Sequence, residues 1–150
     1  MIDENELKRR LEGAIGRHIG HAGKVIFCRL GRNLADAGYE VNPEQMIMLA
    51  HVYLSEGINQ QSLSQHIHRD KAAATRLIDS LEKKNLVIRV SDKTDRRQNM
   101  IFLTNEGKEM VLEVSEVAEK THAEALVGVT EEEVSTLKRV LDKIRENLES

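Results

Sequence analysis

Residues 92–107 read Asp92-Lys93-Thr94-Asp95-Arg96-Arg97-Gln98-Asn99-Met100-Ile101-Phe102-Leu103-Thr104-Asn105-Glu106-Gly107. The stretch changes character at its middle. Its first half is polar and charged, whereas Met100-Ile101-Phe102-Leu103 is a short apolar run of strand type. A second such run, Leu86-Val87-Ile88-Arg89-Val90, lies just upstream. Two short strands joined by the long, charged loop 91–99 are the expected signature of a wing.

On either side of this pair the apolar spacing is helical. Upstream, Asp70 is placed to cap a helix from Lys71 to Lys84 that buries Ala74, Leu77, Ile78 and Leu81, and Asn85 serves as its left-handed terminator. His68-Arg69-Asp70 makes a turn, preceded by a short helix from Gln60 to about His66, capped by Asn59 and offering Leu63 and Ile67 to the core. Before it, Asn42-Pro43-Glu44 starts a helix that runs to about Glu56 and ends at Gly57. Its expected buried face is Met46, Leu49, Ala50, Tyr53 and Leu54.

The ends of the chain are helical too. From about Asp3 to Ala37 a stripe of Ile15, Ile19, Ala22, Ile26, Leu30 and Leu34 predicts one long helix, with glycines that admit a close partner. Downstream, Val111, Val114, Ala118, Thr121 and Ala125, then Val134, Leu137, Leu141, Ile144 and Leu148, predict two more, joined at Gly128, the second opened by the capping box Thr130–Glu133. So small a domain has no surface to bury all these stripes, so an intersubunit helical bundle is expected. The predicted fold is mainly α with a small β-wing: a winged helix-turn-helix over about residues 43–107, with dimerisation helices at about 1–37 and 108–150.

Net charge is −3 over 150 residues, which at first sight disfavours nucleic acid as a partner. The distribution reverses that impression. Residues 58–108 carry 10 basic and 6 acidic side chains, between segments of net charge −1 (1–57) and −6 (109–150). A basic middle flanked by acidic ends fits one DNA-facing segment on a larger scaffold. Small residues at the start of the second helix, Ala72 and Ala73 after Lys71, let its N-terminus enter a major groove. Thr75 and Arg76 are the expected base-edge readers, and Gln60, Gln61 and Ser62 suit phosphate oxygens.

The wing quoted above resembles that of the MarR family (multiple antibiotic resistance regulators), whose pattern is D-x-R, an apolar strand, then L-T-x-x-G. Asp95 and Arg97 match the first part, and Leu103, Thr104 and Gly107 the last. The segment Thr75-Arg76-Leu77-Ile78-Asp79-Ser80-Leu81-Glu82 is similar to the family's recognition helix. The resemblance covers about residues 43–107. It implies a homodimeric transcriptional regulator, more often a repressor, on a pseudo-palindromic double-stranded DNA operator. It further implies Arg97 in the minor groove with Asp95 as its orienter, Lys93 and Arg96 on phosphates, and release by a small-molecule effector. Two departures stand out: Asn85 where many relatives place Gly, and alanines where relatives often carry Ser or Thr.

Other features bear on rival readings. Cys28, the only cysteine, is expected to be a buried structural thiol on or near the apolar stripe, though a redox-responsive regulator is the alternative. His18, His21 and His122 raise a metal-responsive one, but no carboxylate or thiol completes a site at recognisable spacing, so no metal or cofactor is expected. A winged-helix protein-interaction module is a further alternative. No nucleophile–base pair or phosphate loop supports an enzyme. A charged N-terminus, a lone cysteine and no membrane-length apolar run imply a cytoplasmic protein.

Overall fold

The computed structural model describes residues 2–66, 70–91 and 98–149. Along the chain run α1 (Glu4–Gly13), α2 (Ile15–Asp36), α3 (Pro43–Leu54), β1 (Ile58–Asn59), α4 (Gln60–His66), α5 (Lys71–Lys83), β2 (Val87–Ser91), β3 (Asn99–Leu103), α6 (Asn105–Ala125) and α7 (Glu131–Glu149). The strands form one antiparallel sheet in the order β1-β3-β2. Val87 faces Leu103 and Ser91 faces Asn99 across β2 and β3, while Ile58 faces Ile101 across β1 and β3.

Helix ends follow local chemistry. Asn42 and Gln45 form a reciprocal capping box at α3: the Asn42 side chain accepts from the Gln45 amide at 2.9 Å, and Gln45 Oε1 accepts from the Asn42 amide at 3.0 Å. At α7 the Thr130 amide donates to Glu133 Oε2 at 2.8 Å, and the Glu133 amide donates to Thr130 Oγ1 at 3.2 Å. Asn85, at φ 56°, ends α5 in a Schellman turn. There the Leu86 amide donates to Leu81 O at 3.0 Å and the Asn85 amide to Glu82 O at 2.9 Å, and both leucines are buried in the core. Gly38, at φ 84°, ends α2 the same way, with Tyr39 N on Leu34 O at 3.0 Å.

The core lies where α2, α3, α5, α6 and the sheet meet. Leu34, Met48, Leu49, Val52, Leu63, Ile78, Leu81, Val87, Ile101 and Val114 are buried at its centre. Each such aliphatic side chain contributes roughly 2 kcal/mol on leaving water.

Three expectations are corrected. The first helix is two: Ala14, extended at ψ 116° just after Gly13, separates α1 from α2. Of its stripe only Leu30 and Leu34 are buried in this chain, and Ile15 remains 64% exposed. The inner face of α3 is Gln45, Met48, Leu49 and Val52, with Met46 half-buried and Tyr53 and Leu54 outside. Residues 46–50 are apolar without interruption, so contacts with the neighbouring elements, not the period, decide which side turns inward. Cys28 is exposed, because it lies nearly opposite Ile26 and Leu30 around α2. Strand β1 has no counterpart in the sequence reading: two residues are too few for a period, and its pairing with β3 is what defines it.

Candidate nucleic-acid interface

Helices α4 and α5 with strands β2 and β3 bring the expected reading residues together. Asp70 caps α5 by accepting from the Ala73 amide at 2.9 Å. That bond, helped by the Ala72 amide and the Arg76 charge, holds the Asp70 carboxyl below the usual aspartate range. The cap sets the first turns of α5, where Lys71, Ala72 and Arg76 are exposed and Ala73 and Thr75 half-buried. Among the described residues neither Lys71 nor Arg76 is in an ion pair, and the small side chains of Ala72 and Ala73 leave the helix N-terminus open to approach.

Behind that face is a polar network. Arg89 on β2 binds Asp79 of α5 at 2.5 Å and Glu82 of α5, and its Nε donates to Gln60 Oε1 of α4 at 3.3 Å. Gln60 Nε2 in turn donates to Thr75 Oγ1 at 3.1 Å, and the Thr75 hydroxyl donates to Lys71 O at 2.8 Å. Gln60 is half-buried, Gln61 is exposed with its amide bound to Asn59 Oδ1 at 2.8 Å, and Ser62 is half-buried. Sequence reasoning passed over Arg89, Asp79 and Glu82. The signal was present: Arg89 shares a strand face with buried Val87, where an arginine needs partners, and Asp79 and Glu82 stand one turn apart on the facing helix.

The exit from the sheet explains the L-T-x-x-G pattern. The Thr104 hydroxyl accepts from the Gly107 amide at 2.9 Å, capping α6, and donates to Asn85 O at 2.6 Å. The Thr104 amide donates to Leu86 O at 3.1 Å. Gly107 presses so closely on Leu86 that a Cβ there would stand 2.0 Å from its carbonyl oxygen. The predicted wing-tip contacts Lys93, Asp95, Arg96 and Arg97 lie outside the described residues.

Residues 41–98 match the MarR family model. The chain is also 30% identical over 105 residues to the uncharacterized HTH-type transcriptional regulator YybA of Bacillus subtilis (strain 168), spanning 70% of each. This chain belongs to the MarR family. A MarR transcriptional regulator from Methanosarcina mazei Go1 has a similar structure, with a TM-score of 0.79 at 26% identity over 89% of this chain and 94% of that one. A mutant MarR from E. coli, solved with operator DNA, shares the fold with a TM-score of 0.82 at 23% identity, covering 91% of this chain and 96% of that one. MarR-family proteins are transcriptional regulators rather than enzymes.

The remaining candidates of this MarR-family chain lie apart from the helix-turn-helix. His18 is exposed on α2 with Nδ1 at 3.2 Å from Ala14 O, and His21 is one turn on. Among the described residues no three His, Cys, Asp or Glu side chains are grouped to hold a metal ion. On the side facing α6, Arg29 pairs with Glu124 at 2.7 Å and Asn33 donates to Thr121 at 2.8 Å, tying α2 to α6. No described helix is long and apolar enough to cross a membrane.

Proposed function

We propose that this protein binds double-stranded operator DNA as a homodimer and represses transcription. In this reading α5 enters the major groove with Thr75 and Arg76 on base edges. Lys71, Ala72 and Ala73 lie along the groove wall, and Gln60, Gln61 and Ser62 meet the backbone. Arg97, oriented by Asp95, takes the adjacent minor groove, with Lys93 and Arg96 on phosphates. The observation that supports it is the exposed start of α5, where Lys71 and Arg76 are in no ion pair among the described residues, on a helix tied from behind by Arg89.

The dimer is supported by apolar surface that this chain leaves uncovered: Leu7 and Leu11 on α1, Ile15 and Ile19 on α2, and Leu137 and Leu141 on α7. Residues 1–37 and 108–150 are then the dimerisation helices and 43–107 the DNA-binding module. A cleft of about 450 Å³ between the end of α3, β3 and the start of α6, lined by Tyr53, Phe102 and Lys108, gives a small-molecule effector a place to bias one module against the other.

Fluorescence anisotropy with the DNA flanking the protein's own gene, at several salt concentrations, tests this. Affinity is expected to fall steeply and linearly in log–log form with salt. Arg97→Ala should weaken operator binding by about tenfold or more, on the scale of a lost groove contact, with the dimer intact. No binding to any such duplex at low salt would refute the reading.

A further inference from the structure

We infer that Arg89 is a positioning residue for base readout: through Gln60 it fixes which hydrogen-bonding groups Thr75 presents to a base. The inference rests on the DNA-binding reading above.

Arg89 carries donors only, so the Gln60 atom that meets its Nε is the amide oxygen. The other end of the same amide, a donor, therefore faces Thr75. A hydroxyl facing a donor must accept, and the one proton of Thr75 goes to Lys71 O at 2.8 Å. What Thr75 keeps for a ligand is one lone pair and its methyl group. In the major groove guanine shows only the acceptors N7 and O6, whereas adenine and cytosine show an amino donor and thymine a methyl group. The clamp thus turns Thr75 away from guanine and towards an amino group or a thymine methyl. Arg76, the neighbouring exposed side chain, has only donors and covers the guanine edge.

The guanidinium is suited to this task. Its planar fork reaches Asp79, Glu82 and Gln60 at once, which a single ammonium does not reproduce. With Arg89 gone, the Gln60 amide is free to turn over and the Thr75 proton to point elsewhere, so the recognition face loses its defined polarity without losing a phosphate contact.

The test compares wild type, Arg89→Lys, Thr75→Val and the double variant on the operator fragment and on a scrambled duplex of the same composition. Arg89→Lys is expected to lower operator affinity about tenfold, the order of one hydrogen bond to a base. Scrambled-duplex affinity and the salt slope should stay unchanged. Thr75→Val added to Arg89→Lys should cost less than about twofold more, because the two act through one contact. Parallel losses on both duplexes, an unchanged operator affinity, or additive losses would each overturn the inference. If Arg89→Lys fails to fold by thermal melt, Arg89→Gln replaces it in the same cycle, with the same deciding outcomes. Wild type is measured first: failure to prefer any duplex removes the DNA-binding reading and this inference with it, whereas a wild-type preference that Arg89→Lys retains removes this inference alone.

Discussion

Among the glycines, Gly107 stands closest to another stretch of backbone. Its position is set by three hydrogen bonds at Thr104, which cap α6 and pin the end of β3 to Asn85 and Leu86. Gly107→Ala would place a methyl group 2.0 Å from Leu86 O, and backbone has little freedom to yield. The expected cost is about 3 kcal/mol, the upper range for overpacking, read as a lower urea midpoint. A loss below about 0.5 kcal/mol, within the range of neutral surface changes, would contradict the geometry. Gly57 meets a similar limit from a side chain, since a Cβ would lie 2.2 Å from the Phe102 ring, and its φ of 116° strains any other residue. The identity of Gly107 and Thr104 was legible as a motif. That the glycine is needed for Leu86 O was not, because residues 86 and 107 meet only after the strands pair.

Among the elements, α5 has the clearest local logic. Asp70 accepts from the Ala73 amide, and the helix dipole favours its charge. Its pKa is lowered on folding, chiefly by that bond, so its contribution to stability is present above the unfolded-state value and lost as pH falls through the folded-state value. Compared with Asp70→Asn, wild type should be more stable at neutral pH, and the difference should close as pH drops below the ordinary carboxylate range. Thermal melts at neutral and acid pH check this; a difference independent of pH would show that the charge is irrelevant. Helix α5 was legible almost to the residue, since cap, stripe and terminator all agree. Helix α3 was not, because its apolar residues surround the axis and only the contact with α5, through Gln45 Nε2 on Ser80 Oγ at 2.8 Å, and with the core sets its rotation.

For the whole molecule, α1 and α7 bury no residue in this chain, although both carry apolar side chains. A stripe at Leu137 and Leu141 with no cover is costly in water unless a second copy provides it. Sedimentation should therefore give a dimer, and Leu141→Glu should raise its dissociation constant at least about tenfold, on the scale of burying an unpaired charge, while the α3–β3 module stays folded by circular dichroism. A monomeric wild type, or a dimer indifferent to Leu141→Glu, would show that the stripe lies elsewhere than at the interface. DNA affinity should fall with the dimer, since two linked half-sites bind far more tightly than one.

By itself the sequence determined the helices from α3 to α7 and the β2–β3 pair, the caps at Asn42, Asp70 and Thr130, and the family, because these depend on residues within a few positions of one another. Tertiary structure alone decided the two-residue strand β1, the inward face of α3, and the Arg89–Gln60–Thr75 line behind the exposed face of α5. Each of these depends on groups far apart in the chain that come within hydrogen-bond or packing distance only when the sheet and helices close on one core.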